Sequence, residues 1–94
     1  GSGVTIGHGA VVHGARVEDD VLIGIGAKVL SGAKIGRESI LGAGTLVTGG
    51  TVVPPRSLVL GLPGRVVRPL TDEELETIRS TAARYVAYAA KYKG

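Results

Sequence analysis

Aliphatic residues recur along most of the chain at a spacing of six positions. The series runs Val17, Ile23, Val29, Ile35, Leu41, Val47, Val53, Val59. Mostly small residues stand four positions after members of this series: Val21, Ala27, Ala33, Ser39, Thr45, Thr51, Ser57. A helix repeats its buried positions about every 3.6 residues and a strand about every two, so neither element alone produces this spacing. The pattern therefore predicts a repeat architecture.

A β-helix built from hexapeptides explains the spacing. Each hexapeptide supplies one short strand and one corner, and three of them close one triangular coil. Residues eighteen apart then stack, which places Val17 on Ile35 on Val53. We predict about three such coils over residues 4–62. An ordinary sandwich of short strands is the alternative, but sandwiches rarely keep a strict six-residue spacing over so many repeats.

The spacing slips once, near the start of the chain. Ile6 and Val12 are six residues apart, but Val17 follows Val12 after only five. The slip falls in the stretch "VTIGHGAVVHG", which also contains His8 and His13, the only two histidines of the chain. A shortened corner can re-aim side chains, so this stretch is the first candidate for a functional site.

The repeat stops in a stretch that contains four prolines, and a helical pattern follows it. Proline removes a backbone donor from a strand ladder, so residues 63–70 are predicted to be a connector. Residues 71–93 are predicted to form an amphipathic helix, in which Thr71 and Glu74 make a capping box at the start. Its apolar stripe is Leu75, Ile78, Ala82, Tyr85, Ala89, Tyr92.

Composition excludes several classes of protein. The 94 residues contain no cysteine, and the net charge of +3 comes from scattered basic residues without interleaved aromatics. Nucleic-acid binding is therefore not expected. No apolar run reaches the roughly 18–20 residues of a membrane span, which predicts a cytoplasmic protein without a membrane partner. The chain has no methionine, and residues 1–3 ("GSG") are predicted to be a linker or tag scar on a piece of something longer.

Three stretches resemble a known family. "VTIGHGAVVHG", "VEDDVLIGIGAKVLSGAKIG" and "LVLGLPGRVVRPLTDEE" are similar to the C-terminal half of γ-class carbonic anhydrases. The resemblance implies a left-handed parallel β-helix, which departs from the usual right-handed crossover. It also implies a homotrimer with zinc bound at each subunit interface. His13 would bind the zinc from one subunit and His8 from its neighbour.

The ligand set departs from that of the family. The family's third histidine comes from the coil before this motif, and the position eighteen residues before His13 would precede residue 1. The next coil offers no strong ligand at Ile25, Gly26, Leu30 or Ser31. The chain thus carries two of the three zinc-ligand histidines, while a catalytic zinc normally takes three protein ligands and a water. No catalytic residue is assigned.

Three functions remain open at this point. The favoured hypothesis is a truncated or engineered trimeric scaffold that keeps the two histidines. The alternative is a zinc enzyme that hydrates CO2, with its site completed by another chain. An acyltransferase of the wider hexapeptide class, with one histidine as general base, is the third. Glu18, Asp19 and Asp20 are interpreted as a solvated acidic turn rather than as a proton shuttle.

The small height of the β-helix and the unpaired edge of its first coil predict that the chain associates with other copies. About three coils with strands about 4.8 Å apart make a prism only ~15 Å tall, which buries little surface by itself. Trimerisation and the docked helix would supply the remaining burial. The first coil presents an unpaired ladder edge, and such edges invite pairing. Two trimers are therefore predicted to meet head to head through Val4 to Val12, which would bring His8 and His13 near their symmetry mates.

Overall fold

The computed structural model describes residues 1–80, which form a parallel β-helix and the start of a helix. The helix begins at residue 72 and is described to residue 80. The strands are β1 (Thr5–Ile6), β2 (Val11–Val12), β3 (Arg16–Val17), β4 (Leu22–Ile23), β5 (Lys28–Val29), β6 (Lys34–Ile35), β7 (Ile40–Leu41), β8 (Leu46–Val47), β9 (Val52–Val53), β10 (Ser57–Gly61) and β11 (Gly64–Pro69). The fold is the predicted left-handed parallel β-helix of about three coils followed by one C-terminal helix.

Three sheets form the faces of a triangular prism. Their strand orders are β1-β4-β7-β10-β11, β2-β5-β8 and β3-β6-β9, so the chain visits each face once per coil. All pairs between coils are parallel. The first strand of each sheet belongs to the first coil, which leaves β1, β2 and β3 unpaired on one side.

The predicted interior stack is confirmed. Val17 pairs with Ile35, which pairs with Val53, and Ile23 pairs with Leu41 in the same way. The aliphatic positions from the second coil onward are almost fully buried. A strand of two residues turns one side chain inward and the other outward, so a six-residue repeat produces a narrow aliphatic core.

The slip in spacing shortens one coil. Residues of β1 and β2 pair with residues seventeen positions later, whereas residues of β3 pair eighteen positions later. The missing residue therefore belongs to the corner between β2 and β3, which contains His13. Every later coil keeps the period of eighteen.

The end of the prism differs from the sequence-based expectation. Residues 63–70 were expected to be a connector, but β11 occupies most of this segment and pairs antiparallel with β10. Arg65 pairs with Leu60, and Gly61 pairs with Gly64 across the turn. Antiparallel pairing reverses the chain direction, so the hairpin closes one face of the prism at its C-terminal end.

The helix starts as the capping box predicts. The Thr71 hydroxyl accepts a hydrogen bond from the Glu74 N–H at 3.2 Å, and Glu74 Oε1 accepts one from the Thr71 N–H at 2.9 Å. Leu75 and Ile78 of the predicted stripe are buried. The remaining stripe positions, Ala82, Tyr85, Ala89 and Tyr92, lie outside the described residues.

One corner of the prism anchors the helix. Arg79 donates a hydrogen bond to Glu38 at 3.3 Å, and Glu38 directly precedes Ser39 and β7. Glu38 also lies 3.7 Å from Arg37 and 3.5 Å from Arg56. This corner joins two faces. On the face built on β1, β4, β7 and β10 the outward side chains Leu22, Ile40 and Leu58 are half-buried, whereas Val52 on the other face is 68% exposed. We therefore place the helix alongside the first of them and call it the helix-side face.

The other two faces are named by their lysines. The Lys28 face carries the stacked outward residues Val11, Lys28 and Leu46. The Lys34 face carries Arg16, Lys34 and Val52. Lys28 and Lys34 hold the same position in successive hexapeptides and are both exposed.

Candidate metal site at two corners of one face

The two histidines lie at opposite ends of one strand. His8 lies on the corner between β1 and β2, and His13 lies on the shortened corner between β2 and β3. Both side chains are exposed. Backbone ladder bonds fix both corners, since the His13 N–H donates to the Val29 carbonyl at 2.9 Å and the His8 carbonyl accepts from the Gly26 N–H at 3.0 Å.

Ile25 and Ala43 stand below His8 on the same corner. The Gly26 N–H donates to the His8 carbonyl, and the Gly44 N–H donates to the Ile25 carbonyl at 2.8 Å. The same ladder bond therefore recurs one coil later, with Ile25 in the place of His8. We call the three stacked residues the His8 corner.

Leu30 and Thr48 stand below His13 in the same manner. The Leu30 N–H donates to the Val47 carbonyl at 3.0 Å, which repeats the bond between His13 and Val29 one coil later. The three residues are called the His13 corner. As the sequence indicated, the second coil offers no metal ligand beneath either histidine.

A single chain does not bring both histidines to one metal. Two imidazole nitrogens bound to the same zinc lie within about 4 Å of one another, because each Zn–N bond is about 2.0–2.1 Å. The strand β2 separates His8 from His13 and turns them onto different corners of the prism. Among residues 1–80, no group of three or more metal-ligating side chains is found.

Acidic side chains of the prism lie on the third corner, opposite the Lys28 face. This corner connects the Lys34 face with the helix-side face and carries Glu18, Asp19, Asp20 and Glu38. The Asp19 carboxylate accepts a hydrogen bond from the Ser2 N–H at 2.8 Å. These carboxylates are therefore separated from both histidines by the width of the prism.

Similarity to known proteins covers the repeat and most of the chain. The family model "Bacterial transferase hexapeptide (six repeats)" matches residues 14–49. A protein of Methanocaldococcus jannaschii named "Probable carbonic anhydrase" is 59% identical over 92% of this chain and 54% of its own length. "Gamma carbonic anhydrase 2, mitochondrial" of Arabidopsis thaliana is 40% identical over 95% of this chain and 32% of its own length.

The chain belongs to the hexapeptide-repeat family, in the group similar to γ-class carbonic anhydrases. It spans about half of the length of the first of these relatives and about a third of the second. The family resemblance expected from the histidine stretch is thereby confirmed.

Solved structures share the fold across different activities. A crystal structure from Bacillus cereus, named as a putative acetyltransferase, superposes with a TM-score of 0.95 at 38% identity. The match covers 97% of this chain and 53% of that one. Because the coil is common to both groups, the fold does not decide between an acetyltransferase and a carbonic anhydrase.

No helix within residues 1–80 is long and apolar enough to cross a membrane.

Proposed function

We propose that the chain forms a homotrimeric β-helix scaffold that binds zinc between His8 of one subunit and His13 of the next. The observation that carries this proposal is the position of the two histidines at opposite ends of one strand of the first coil. In that position they are unable to share a metal within one chain. Two neighbouring chains bring them together when the His8 corner of one contacts the His13 corner of the other.

The proposed contact joins two different corners of neighbouring subunits and forms a closed ring of three. A contact between two different corners is a head-to-tail contact, which closes into a ring when the rotation per subunit divides a full turn. Both corners border the Lys28 face, so three prisms joined in this way turn their Lys28 faces toward a central axis. The helix-side face and the Lys34 face remain on the outside.

Exposed apolar residues below the histidines support the same contact. Ile25 is 64% exposed and Leu30 is 37% exposed, although both are large aliphatic side chains. Because they stack directly below His8 and His13, a contact that joins the histidines also joins Ile25 with Leu30 of the neighbour. Burial of this pair would stabilise the trimer without any metal.

Two imidazoles match the ligand preference of zinc but do not complete a catalytic site. Catalytic zinc normally takes three protein ligands and leaves one position open. His8 and His13 supply two nitrogen ligands per interface, so we expect zinc to bind more weakly than to a three-histidine site. No catalytic step is assigned to residues of this chain.

A zinc enzyme that hydrates CO2 is the second candidate. It is favoured by the 59% identity to the relative named "Probable carbonic anhydrase". In this case another chain would supply the third ligand beside His8 and His13. Zinc, when bound in such a site, supplies the acidity that activates water near neutral pH.

The decisive experiment combines zinc analysis with mixed trimers. Protein purified without chelators or a metal-affinity step is expected to contain about one zinc per chain, because a trimer has three equivalent interfaces. His8→Ala and His13→Ala should each lose the zinc and keep the trimer mass. The two variants are then unfolded together, refolded in equal amounts and analysed again.

Mixing distinguishes a site between chains from a site within one. A chain that retains His8 can meet a neighbour that retains His13, which restores about a quarter of the interfaces in a random mixture. Zinc recovery in the mixture supports the proposal. If the wild-type trimer contains zinc but the mixed variants recover none, each zinc site lies within one chain. If the wild-type protein contains no zinc, the zinc site is ruled out and only the scaffold role remains.

We further propose that two trimers associate head to head through the first coil. The N–H groups of Thr5 and Gly7 donate to the Val21 and Ile23 carbonyls of the second coil at 2.9 and 2.7 Å. Backbone groups alternate along a strand, so the N–H and C=O of Ile6 turn toward the open side. An apolar depression of about 270 Å³, lined in part by Val4 and Val12, lies at the same end.

Solution mass tests the association of two trimers. At high protein concentration we expect the mass of six chains, which should fall to the mass of three chains on dilution. An Ile6→Pro variant should have the mass of three chains at every concentration. A trimer mass that stays unchanged over a wide concentration range would contradict the head-to-head contact.

A further inference from the structure

We propose that Lys28 of three subunits forms an oxyanion site on the three-fold axis of the trimer. This inference rests on the proposed trimer, because the site does not exist in one chain. The ring contact turns the Lys28 faces toward the axis, and each subunit then contributes one ammonium group at the height of the second coil. Three ammonium donors around a three-fold axis match three oxygens of a tetrahedral anion such as phosphate or sulfate.

Charge distribution leaves Lys28 without an acidic partner. The chain contains eight acidic residues, and four of them lie on the third corner, opposite the Lys28 face. The other four are Asp72, Glu73, Glu74 and Glu76 at the start of the helix, alongside the helix-side face. No ion pair is recorded for Lys28 within residues 1–80. An external anion is the group that can balance the three charges.

Apolar neighbours strengthen the preference for an anion. Val11 stacks above Lys28 and Leu46 stacks below it on the same face. In the trimer these residues form apolar rings on both sides of the three ammonium groups. Like charges in partly desolvated surroundings repel more strongly than they do in water, and a bound anion relieves that repulsion.

Lys34 provides a matched control. It occupies the equivalent position of the next hexapeptide, is also exposed, and lies on the face that stays outside the ring. Lys28→Met and Lys34→Met therefore remove the same charge from the same kind of strand position. Only the first substitution removes a charge from the axis.

Trimer stability at constant ionic strength tests the site. When phosphate replaces chloride, the protein concentration at which the wild-type trimer dissociates should fall several-fold, because a ligand stabilises the state that binds it. Lys34→Met should keep this response. Lys28→Met should abolish it and should form a more stable trimer than the wild type in chloride.

Binding stoichiometry provides the second readout. Equilibrium dialysis with labelled phosphate should find about one phosphate per three chains, because one axis serves three subunits. An equal phosphate response in Lys28→Met and the wild type would overturn the oxyanion site while leaving the trimer intact. A wild-type protein that is monomeric at all concentrations would overturn the trimer, and the site with it.

Discussion

Corner residues show how closely the coils stack. An added Cβ at Gly36 would lie 2.5 Å from the Pro55 nitrogen, so the position tolerates only glycine without a shift of the backbone. Gly50 has a φ of +76° but no atom within 4 Å of an added Cβ. The two glycines are therefore required for different reasons, one for the approach of coils and the other for a left-handed turn.

Alanine at these two positions should separate the two effects. Gly36→Ala is expected to cost about 3 kcal/mol of unfolding free energy, at the upper end of the range for overpacking, because the new methyl group meets backbone. Gly50→Ala should cost about 1 kcal/mol, which is the strain of a left-handed residue. Urea unfolding of both variants at one protein concentration measures the difference. If both variants lose the same unfolding free energy, the backbone around Gly36 shifts to accommodate the methyl group.

One corner adopts the left-handed conformation with non-glycine residues in three successive coils. Asp20, Glu38 and Arg56 have φ values of 57°, 56° and 57°, whereas the other two corners use glycine at the equivalent positions. The six-residue spacing predicts where corners lie, but it contains no signal for which corner tolerates a side chain. Ser2, in the stretch interpreted as a linker or tag scar, extends this corner, because its carbonyl accepts a hydrogen bond from the Asp20 N–H at 2.9 Å.

At the scale of elements, the helix start is fixed by one carboxylate. Arg68 of β11 donates two hydrogen bonds to Glu74, at 2.6 and 2.8 Å, and Glu74 also accepts from the Thr71 N–H. These bonds lower the pKa of the Glu74 carboxyl from 4.5 to about 2, with the Arg68 hydrogen bond as the largest cause. The same pair raises the pKa of the Arg68 guanidinium.

Acid should release the start of the helix. A lowered folded-state pKa contributes stability above the unfolded-state value, and this stability is lost as pH falls from about 4.5 toward about 2. Helical circular dichroism should therefore decrease over this window. Glu74→Gln should have less helix at neutral pH and a smaller change in acid, while Glu73→Gln should behave like the wild type. An identical acid profile for Glu74→Gln and the wild type would contradict this role.

The capping box was predictable and the strand before it was not. Thr71 and Glu74 carry a local signal three residues apart, which is sufficient to place a helix start. The hairpin of β10 and β11 contains Pro63 and Pro69, which are typical of irregular segments. Pro63 lies in the turn of the hairpin and Pro69 is the last residue of β11, so the ladder hydrogen bonds between them can form. The sequence pattern alone did not indicate this.

Across the whole molecule, the proposed trimer accounts for some of the exposed aliphatic residues and not for others. Ile25 and Val52 are exposed to similar extents, 64% and 68%. Ile25 belongs to the His8 corner, whereas Val52 belongs to the Lys34 face. In the proposed trimer only Ile25 becomes buried, which makes the pair a test of the ring contact.

Aspartate at these positions should have opposite outcomes. Ile25→Asp places an unpaired carboxylate in each of the three interfaces, and the trimer should dissociate at a concentration roughly 100-fold higher or more. Val52→Asp should keep the wild-type mass. Sedimentation velocity over a dilution series measures both. Loss of the trimer in Val52→Asp with retention in Ile25→Asp would place the interface on the Lys34 face instead.

Histidine spacing predicted the candidate site only in part. His8 and His13 stood out because they are the only histidines and flank the slip in the repeat. The sequence left Ile25 or Gly26 below His8 and Leu30 or Ser31 below His13. The seventeen-residue period of the first coil selects Ile25 and Leu30. Lys28 belongs to no sequence motif that would have marked it. It lies between the His8 corner and the His13 corner because β5 is part of the face that joins them.

The closing hairpin of β10 and β11 also restricts how such a chain can change in length during evolution. The antiparallel strand β11 ends the growth of its sheet, so a new coil has no parallel edge to join there. A duplication within the prism preserves the register only if it adds one complete turn of eighteen residues. An insertion of six residues would keep the aliphatic side chains inward but would move every later strand to the next face of the prism. Duplications that keep each strand on its own face should therefore add whole turns.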